Sequence, residues 1–192
     1  MAGTMALNLK ENQRAQRKLL ITVASWKTGT GNTFNNFEVL GIRTEDSSIE
    51  FNIDSETSTD ILGNSWSDVN KTEPQQDLDP HYIVGGSKLD KYLTEAALKN
   101  NIDAYNAQFN IYIVAAYIND GDTQGETTGA TKFYTVKHEA CSIFPTAIGG
   151  DSYTSLPIEV HFSNKITEGY VNSITGINAL SAEGSWFTAA SA

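Results

Sequence analysis

Three histidines and one cysteine are the residues of this 192-residue sequence best suited to metal binding or nucleophilic catalysis. His81, His138 and His161 form no HExxH motif or close ligand pair, so we interpret them as independent histidines. Cys141 lies in the alternating run FYTVKHEACSIF, which is typical of a small buried residue. A single cysteine excludes an intrachain disulfide and fits a reducing compartment.

The other motifs that carry chemistry are incomplete. Gly29-Thr30-Gly31 lacks the spacing of a phosphate-binding loop, and the sequence has no GxSxG turn for a nucleophilic serine. Residues 120–125 resemble the start of a calcium loop, but the twelfth position is Thr131, where such loops need a bidentate glutamate. We therefore predict a protein that is not an enzyme and that uses no metal or other cofactor.

Composition and charge exclude further classes. The chain has 13 Lys and Arg against 23 Asp and Glu, a net charge of −10, which excludes DNA binding through an ordinary basic patch. No apolar run approaches the ~20 residues of a bilayer-spanning helix, so no membrane partner is expected. With 40% hydrophobic residues and a length typical of one domain, a folded core is expected.

Strand signals dominate the chain and predict a mainly β fold, a β-sandwich or rolled barrel, with residues 19–175 as a single domain. In the clearest run, Ile49, Phe51 and Ile53 fall on one face and Glu50 on the other. The predicted strands cover residues 19–26, 34–43, 48–53, 108–118, 132–143 and 157–162.

One amphipathic helix is predicted at about residues 87–100. Ser87 is a suitable N-terminal cap, and an apolar stripe follows it with helical spacing. Asn100 and Asn101 are suitable stop residues. A helix this short must bury its stripe against the sheet.

A long polar segment, at about residues 54–80, predicts a hairpin arm that makes contacts outside the domain. Structureless segments of this length are rare in compact domains. The arm contains isolated apolar residues, and the candidate contact residues are Asp60, Ile61, Leu62, Trp66 and Val69.

The two ends of the chain are predicted to be extended arms. Residues 1–18 carry a net charge of +3, which leaves −13 for the rest, and a mobile basic arm is expected. Residues 176–192 are small and apolar, so this arm is expected to lie on its own domain or on a neighbouring chain.

Two stretches resemble the tail tube (major tail) proteins of long-tailed bacteriophages that infect Gram-positive bacteria. The first is SSIEFNIDSETSTDILGNSWSDVNKTEP, at residues 47–74, where an alternating strand leads into a long hairpin that ends before a proline. The second is HEACSIFPTAIGGDSYTSLPIEVHFSNKITEGYV, at residues 138–171, which has a strand, a Gly-Gly-Asp turn and an alternating strand. The predicted helix lies between the two halves, as in this family.

The resemblance implies a structural virion protein that forms hexameric rings, which stack into a hollow tube for DNA delivery. The hairpin arm would then lock one ring to the next. Acidic residues facing the lumen would repel DNA, and the candidates are Glu50 and Glu159. The terminal arms would contact adjacent subunits, with Arg14, Arg17, Lys18, Trp186 and Phe187 as candidates.

The partners implied by the resemblance are further copies of the chain, a tape measure protein, and tail terminator and distal tail proteins. DNA would pass through the lumen without tight binding. The protein would be assembled in the bacterial cytoplasm and located in the virion. The alternatives are the inner tube of a contractile tail, of a secretion system or of a bacteriocin and, in a different class, a carbohydrate-binding β-sandwich module that uses Trp66 and Tyr153.

Overall fold

The computed structural model describes residues 5–27, 33–42, 44, 47–122, 125–180 and 186–190. Within these residues the protein is mainly β, with antiparallel strands and one α-helix, α1 (Lys88–Leu98), so the predicted fold class is confirmed at that level. The strands are β1 (Ala6–Leu7), β2 (Leu20–Trp26), β3 (Asn36–Val39), β4 (Ile49–Glu50), β5 (Ile53–Thr59), β6 (Ser65–Thr72), β7 (Gln75–Leu78), β8 (Phe109–Asn119), β9 (Phe133–Pro145), β10 (Ile158–His161), β11 (Ile166–Val171) and β12 (Phe187–Ala189).

Ten of these strands form one sheet, and β9 divides it into two branches. The main order is β3-β2-β8-β9-β10-β7-β4, while β11 also pairs with β9 and carries β12 on its other side. Along β9, residues 133–138 pair with β11 and residues 142–145 pair with β10. The register against β8 shifts between these two parts, where Ala140 has a φ of 58°. An extra residue at a bulge bends a strand, which explains why the two branches diverge here.

The central strands β2 and β8 are buried on both faces. Val23 pairs with Tyr112 on one face, and Ala24 pairs with Ile111 on the other, and all four side chains are fully buried. Strands covered on both faces have continuous apolar sequences without alternation. This accounts for the uninterrupted run QFNIYIVAAYI at residues 108–118.

Helix α1 covers one face of the central strands together with β7 and β10. The Ser87 hydroxyl accepts the Asp90 N–H at 2.9 Å, and the Glu38 carboxylate accepts the N–H groups of Lys88 and Leu89, so the start of the helix is capped. Asn100 follows the helix with a φ of 50°, a left-handed conformation typical of helix ends. The predicted helix is therefore confirmed. Its apolar side chains share a core with residues of the central strands and of β10, namely Leu89, Leu93, Trp26, Phe109, Ile158 and Val160.

The C-terminal segment covers the opposite face, so its described part is not an extended arm. Trp186 is 3% exposed, and its ring packs edge-on against Tyr112 and Phe37 at 5.2 and 6.2 Å between centroids. Its indole N–H donates to the Ser173 carbonyl at 2.7 Å. Of the two places left open for this tail, its own domain is the one observed, because the central strands need a second apolar cover. Residues 181–185 and 191–192 lie outside the described residues.

The described part of the N-terminal segment also lies on its own domain, which corrects the expectation of a mobile arm. Ala6 and Leu7 pair with β8 beyond the point where β2 begins. Asn8 is 1% exposed and donates to Asn119 at 2.8 Å, and Gln13 donates to Glu126. Backbone pairing and buried amide hydrogen bonds hold this segment, although its sequence is polar. Residues 1–4 lie outside the described residues.

The Trp186→Ala variant tests the role of the C-terminal segment in the core. We expect the free energy of unfolding of dispersed subunits to fall by about 3–5 kcal/mol, because a large buried side chain is lost. Urea denaturation measures this change. The control is Trp66→Ala, because Trp66 is 47% exposed. We expect this control to change the free energy of unfolding by about 0.5 kcal/mol or less. Equal stability of the two variants would contradict the observed burial.

Candidate functional site

Strands β5 and β6 form a separate two-stranded hairpin between β4 and β7, and this hairpin (residues 53–72) is the most unusual feature of the surface. The predicted arm at about residues 54–80 was too long at its C-terminal end. Residues 75–78 form β7, which pairs with β10 in the main sheet. The side chains of Gln76 and Leu78 are buried there. An isolated two-stranded hairpin is marginally stable in water.

The chain leaves the main sheet through a narrow neck at the base of the hairpin. Asn52 has a φ of 44°, which ends β4 after two residues, so the predicted strand at 48–53 is interrupted. The Asn52 side chain donates to the Glu73 carbonyl at 3.1 Å, and the Glu73 N–H donates to the Phe51 carbonyl. Phe51 and Ile53 follow the end of β4 and are 58% and 61% exposed.

The two faces of the hairpin differ in character. On one face, hydroxyl groups bond across the strands, from Thr57 to Ser67 at 2.9 Å and from Thr59 to Ser65 at 3.0 Å. The other face carries Trp66, whose indole N–H donates to the Asp68 carboxylate at 3.1 Å, together with Glu56. Cross-strand pairs of this kind keep the hairpin ordered without a core of its own.

A single carboxylate holds the tip of the hairpin in one conformation. Asp60 accepts the backbone N–H groups of Leu62 and Asn64 at 2.8 and 2.9 Å, and the Asn64 side-chain amide at 2.9 Å. The bonds from Asn64, and then the one from Leu62, hold the pKa of Asp60 below its ordinary value, because they stabilise the charged form. The arrangement presents Ile61, which is fully exposed, and Leu62, which is 81% exposed.

The candidate contact residues all lie on one exposed element, with Trp66 and Val69 on its opposite faces. Trp66 and Val69 are also exposed, at 47% and 64%. Large apolar side chains grouped on a projecting element are typical of an interaction surface. The hairpin holds Asp54, Glu56, Asp60 and Asp68 against one basic residue, Lys71.

The structure places Glu50 and Glu159 on one face of the β4-β7-β10 branch. Glu50 is opposite Gln75, and Glu159 is opposite Asp77, and partners of this kind point to the same face of a sheet. This acidic face also holds His161, whose Nε2 lies 3.3 Å from the Glu159 carboxylate. Sequence reasoning missed Asp77 because β7 was assigned to the arm.

The basic candidates of the N-terminal segment are exposed, but one already has partners in its own chain. Arg17 donates to the carbonyl oxygens of Leu20 and Ser47 at 2.6 and 2.7 Å. Arg14 and Lys18 are exposed. Phe187 is half-buried in the same cluster as the buried Trp186, so both side chains contribute mainly to their own domain.

The residues considered for chemistry are held in structural roles. His81 Nε2 lies 2.8 Å from the buried Asp90 carboxylate, which also accepts the Val84 N–H. Burial disfavours the charged form, but these hydrogen bonds outweigh it and lower the pKa of Asp90. Burial raises the pKa of the Cys141 thiol, which opposes formation of a reactive thiolate.

The described residues contain no group of three or more His, Cys, Asp and Glu side chains that could hold a metal ion. His138 is buried, and its Nδ1 bonds to the Ser163 carbonyl at 2.8 Å. Gly29-Thr30-Gly31 and residues 123–124 lie outside the described part of the chain.

No protein-family model matches this sequence, and no curated protein matches it either. The helix in the described part of the chain is too short to cross a membrane. The hairpin and the acidic face are the features of the described residues that bear most directly on function.

We expect the order of the hairpin tip to depend on the ionisation of Asp60. The pKa of Asp60 is lower in the folded tip than in the unfolded chain. The tip is therefore fully ordered at a pH above the ordinary pKa of aspartate, and it loses this order as the pH falls through the lowered pKa of Asp60. NMR titration should show the Leu62 and Asn64 amide resonances shifting together. Asp60→Ala should abolish this titration and speed the exchange of both amides, whereas Asp68→Ala should leave them protected. A tip that is unchanged in Asp60→Ala would contradict the assignment.

Proposed function

We propose that this chain is a tail tube protein of a long-tailed bacteriophage, a structural virion protein that assembles into stacked hexameric rings. The observation that carries the proposal is the hairpin with its ordered, apolar and solvent-exposed tip. A domain that functions as a monomer gains nothing from holding Ile61 and Leu62 in water. A subunit that must reach a neighbour gains a contact whose geometry is set before binding.

The dimensions of the hairpin suit a contact between rings. Strand β5 has seven residues, which at about 3.3 Å per residue gives a reach of roughly 23 Å. Contact between the arm of one subunit and a different surface of the next is heterologous, and heterologous contacts continue into open filaments. Residues Asp60, Ile61, Leu62, Trp66 and Val69 form the proposed ring-to-ring contact.

We propose further that the divided sheet forms a β-sandwich or rolled barrel that closes with its neighbours within each ring. The two edges of the main path, β3 and β4, are short strands of four and two residues. A strand at the edge of a sheet has backbone groups that can pair with another chain, and ring closure would cover them.

The acidic face is the surface that we propose for the lumen. Glu50, Asp77 and Glu159 would repel the phosphates of passing DNA, so that DNA moves through the tube without being held. In this scheme the partners are other copies of the chain, the tape measure protein, and the terminator and distal tail proteins. Assembly would take place in the host cytoplasm, and the final location would be the virion.

Replacing the apolar tip should prevent assembly without affecting the folded subunit. We expect the double variant Ile61→Ser and Leu62→Ser to unfold at the same urea concentration as the parent, because both side chains are exposed, but to form few or no tubes. Negative-stain microscopy and sedimentation of purified protein measure the assembly. Ile148→Ser, at an exposed residue outside the hairpin, is the matched control.

Two results of this experiment would count against the proposal. Tubes formed by the double variant at the parental yield would exclude the tip as the ring-to-ring contact. A parent protein that stays monomeric and binds glycans on an array would favour a carbohydrate-binding module instead, with Trp66 and Tyr153 as the exposed aromatic residues.

Reversing the charge of the acidic face should convert the tube into a DNA-binding particle. We expect the triple variant Glu50→Lys, Asp77→Lys and Glu159→Lys to retain double-stranded DNA, with binding that weakens steeply as salt is raised. Gel retardation with short duplexes measures the binding. The control reverses three exposed acidic residues outside both the acidic face and the hairpin, Glu11, Asp103 and Asp151. Equal DNA binding by both sets of variants would contradict a luminal position of the acidic face.

A further inference from the structure

A cavity of about 780 Å³ lies beside helix α1, at the end of strand β2. Its apolar lining is formed by Trp26, Ile83, Val84 and Tyr92. The volume is within the range of roughly 300–1,000 Å³ that is typical of ligand pockets. We call this cavity the helix pocket.

Two residues that line the helix pocket carry buried polar atoms without a partner in the described part of the chain. These atoms are the indole nitrogen of Trp26, a residue that is 1% exposed, and the hydroxyl oxygen of Thr94. Buried polar groups without hydrogen bonds are costly and are rare in native structures. The wall of the helix pocket is therefore incompletely satisfied in the isolated subunit.

The positive charges that line the helix pocket are Lys88 and Lys91, on the first turns of α1. Two carboxylates also line the pocket: Asp90 is buried and bonds to His81 and to the Val84 N–H, and Glu95 lies 3.9 Å from Lys91 and 3.5 Å from Lys99. Because Asp90 is buried, the exposed edge carries two lysines against one glutamate, and this excess favours an occupant with an apolar end and neighbouring carboxylates.

The hairpin tip has both an apolar end and neighbouring carboxylates. Ile61 and Leu62 form its apolar end, and the Asp60 carboxylate lies beside them. The hairpin behind the tip is net acidic, with Asp54, Glu56 and Asp68 against one basic residue, Lys71. Ile61 is fully exposed, so none of the described residues covers its side chain.

We propose that the helix pocket is the receptor for the hairpin tip of a second copy of this chain. Ile61 and Leu62 insert against Trp26 and Tyr92, while the acidic arm meets the lysines at the edge. Each subunit then carries one tip and one pocket, so the contact is heterologous and propagates from copy to copy. The inference rests on the proposed tube assembly and identifies the surface that receives the arm.

Disulfide trapping tests this contact directly. The variant Leu62→Cys with Ile83→Cys places one thiol on the tip and one in the pocket lining. Both positions are exposed in the subunit, and the native Cys141 is buried. After oxidation we expect a ladder of covalent dimers, trimers and longer chains on non-reducing gels, since each copy can link to two others. The control is Leu62→Cys with Ile166→Cys, at an exposed residue outside the pocket, which should give no such ladder.

Microscopy of the same samples separates failure of the inference from failure of the proposed function. Tubes without cross-linking between positions 62 and 83 would overturn the pocket as receptor and leave the tube function standing. A ladder of equal strength in the Ile166→Cys control would also overturn it. Neither tubes nor cross-links, in the parent and the variants, would overturn both proposals.

A charge reversal at the edge of the pocket provides a second measurement that needs no cysteine. We expect Lys91→Glu to raise the critical concentration for assembly about fivefold at low salt, and less at high salt. Lys99→Glu is the matched control, because Lys99 directly follows α1 and lies near the same Glu95 carboxylate but does not line the pocket. Equal effects of the two variants would contradict the proposed contact.

Discussion

The burial of the central strands on both faces is the constraint on which the rest of this structure depends. Strands β2 and β8 carry apolar side chains that point in both directions, so a single covering layer would leave one face in water. Helix α1 and the β10-β7 branch cover one face, and the C-terminal segment around Trp186 covers the other. The described part of the C-terminal segment is thereby committed to the folding of the subunit. Among the described residues, the hairpin is the main projecting element.

This constraint also marks the limit of what the sequence could predict. The helix was predictable because its signals are local: the Ser87 cap, the apolar stripe and the Asn100 stop all lie within 14 residues. The position of Trp186 was not predictable, because its partners Phe37 and Tyr112 are distant in the sequence. An apolar tail indicates that some surface must cover it, but periodicity does not identify that surface.

The site was predicted in part for the same reason. The hairpin and its apolar residues could be identified because a long polar segment with isolated large side chains is unusual in a compact domain. Its end could not be placed, since Gln75–Leu78 is too short for its alternation to be distinguished from a loop. Asp77 was missed for that reason. The helix pocket depends on side chains of β2, α1 and the connection at residues 83–84, which only the folded structure brings together.

The position of the hairpin in the sheet connects the two proposed surfaces. It is inserted between β4 and β7, which pair with each other and carry Glu50 and Asp77 of the acidic face. The neck is closed by the bonds of Asn52 and Glu73, so the arm leaves the sheet in a direction that is tied to that face. Under the proposed function, one rigid unit would therefore set both the orientation of the lumen wall and the place where the next ring is contacted. A shift of the acidic strands would move the tip with them, and this coupling would keep the lumen continuous from ring to ring.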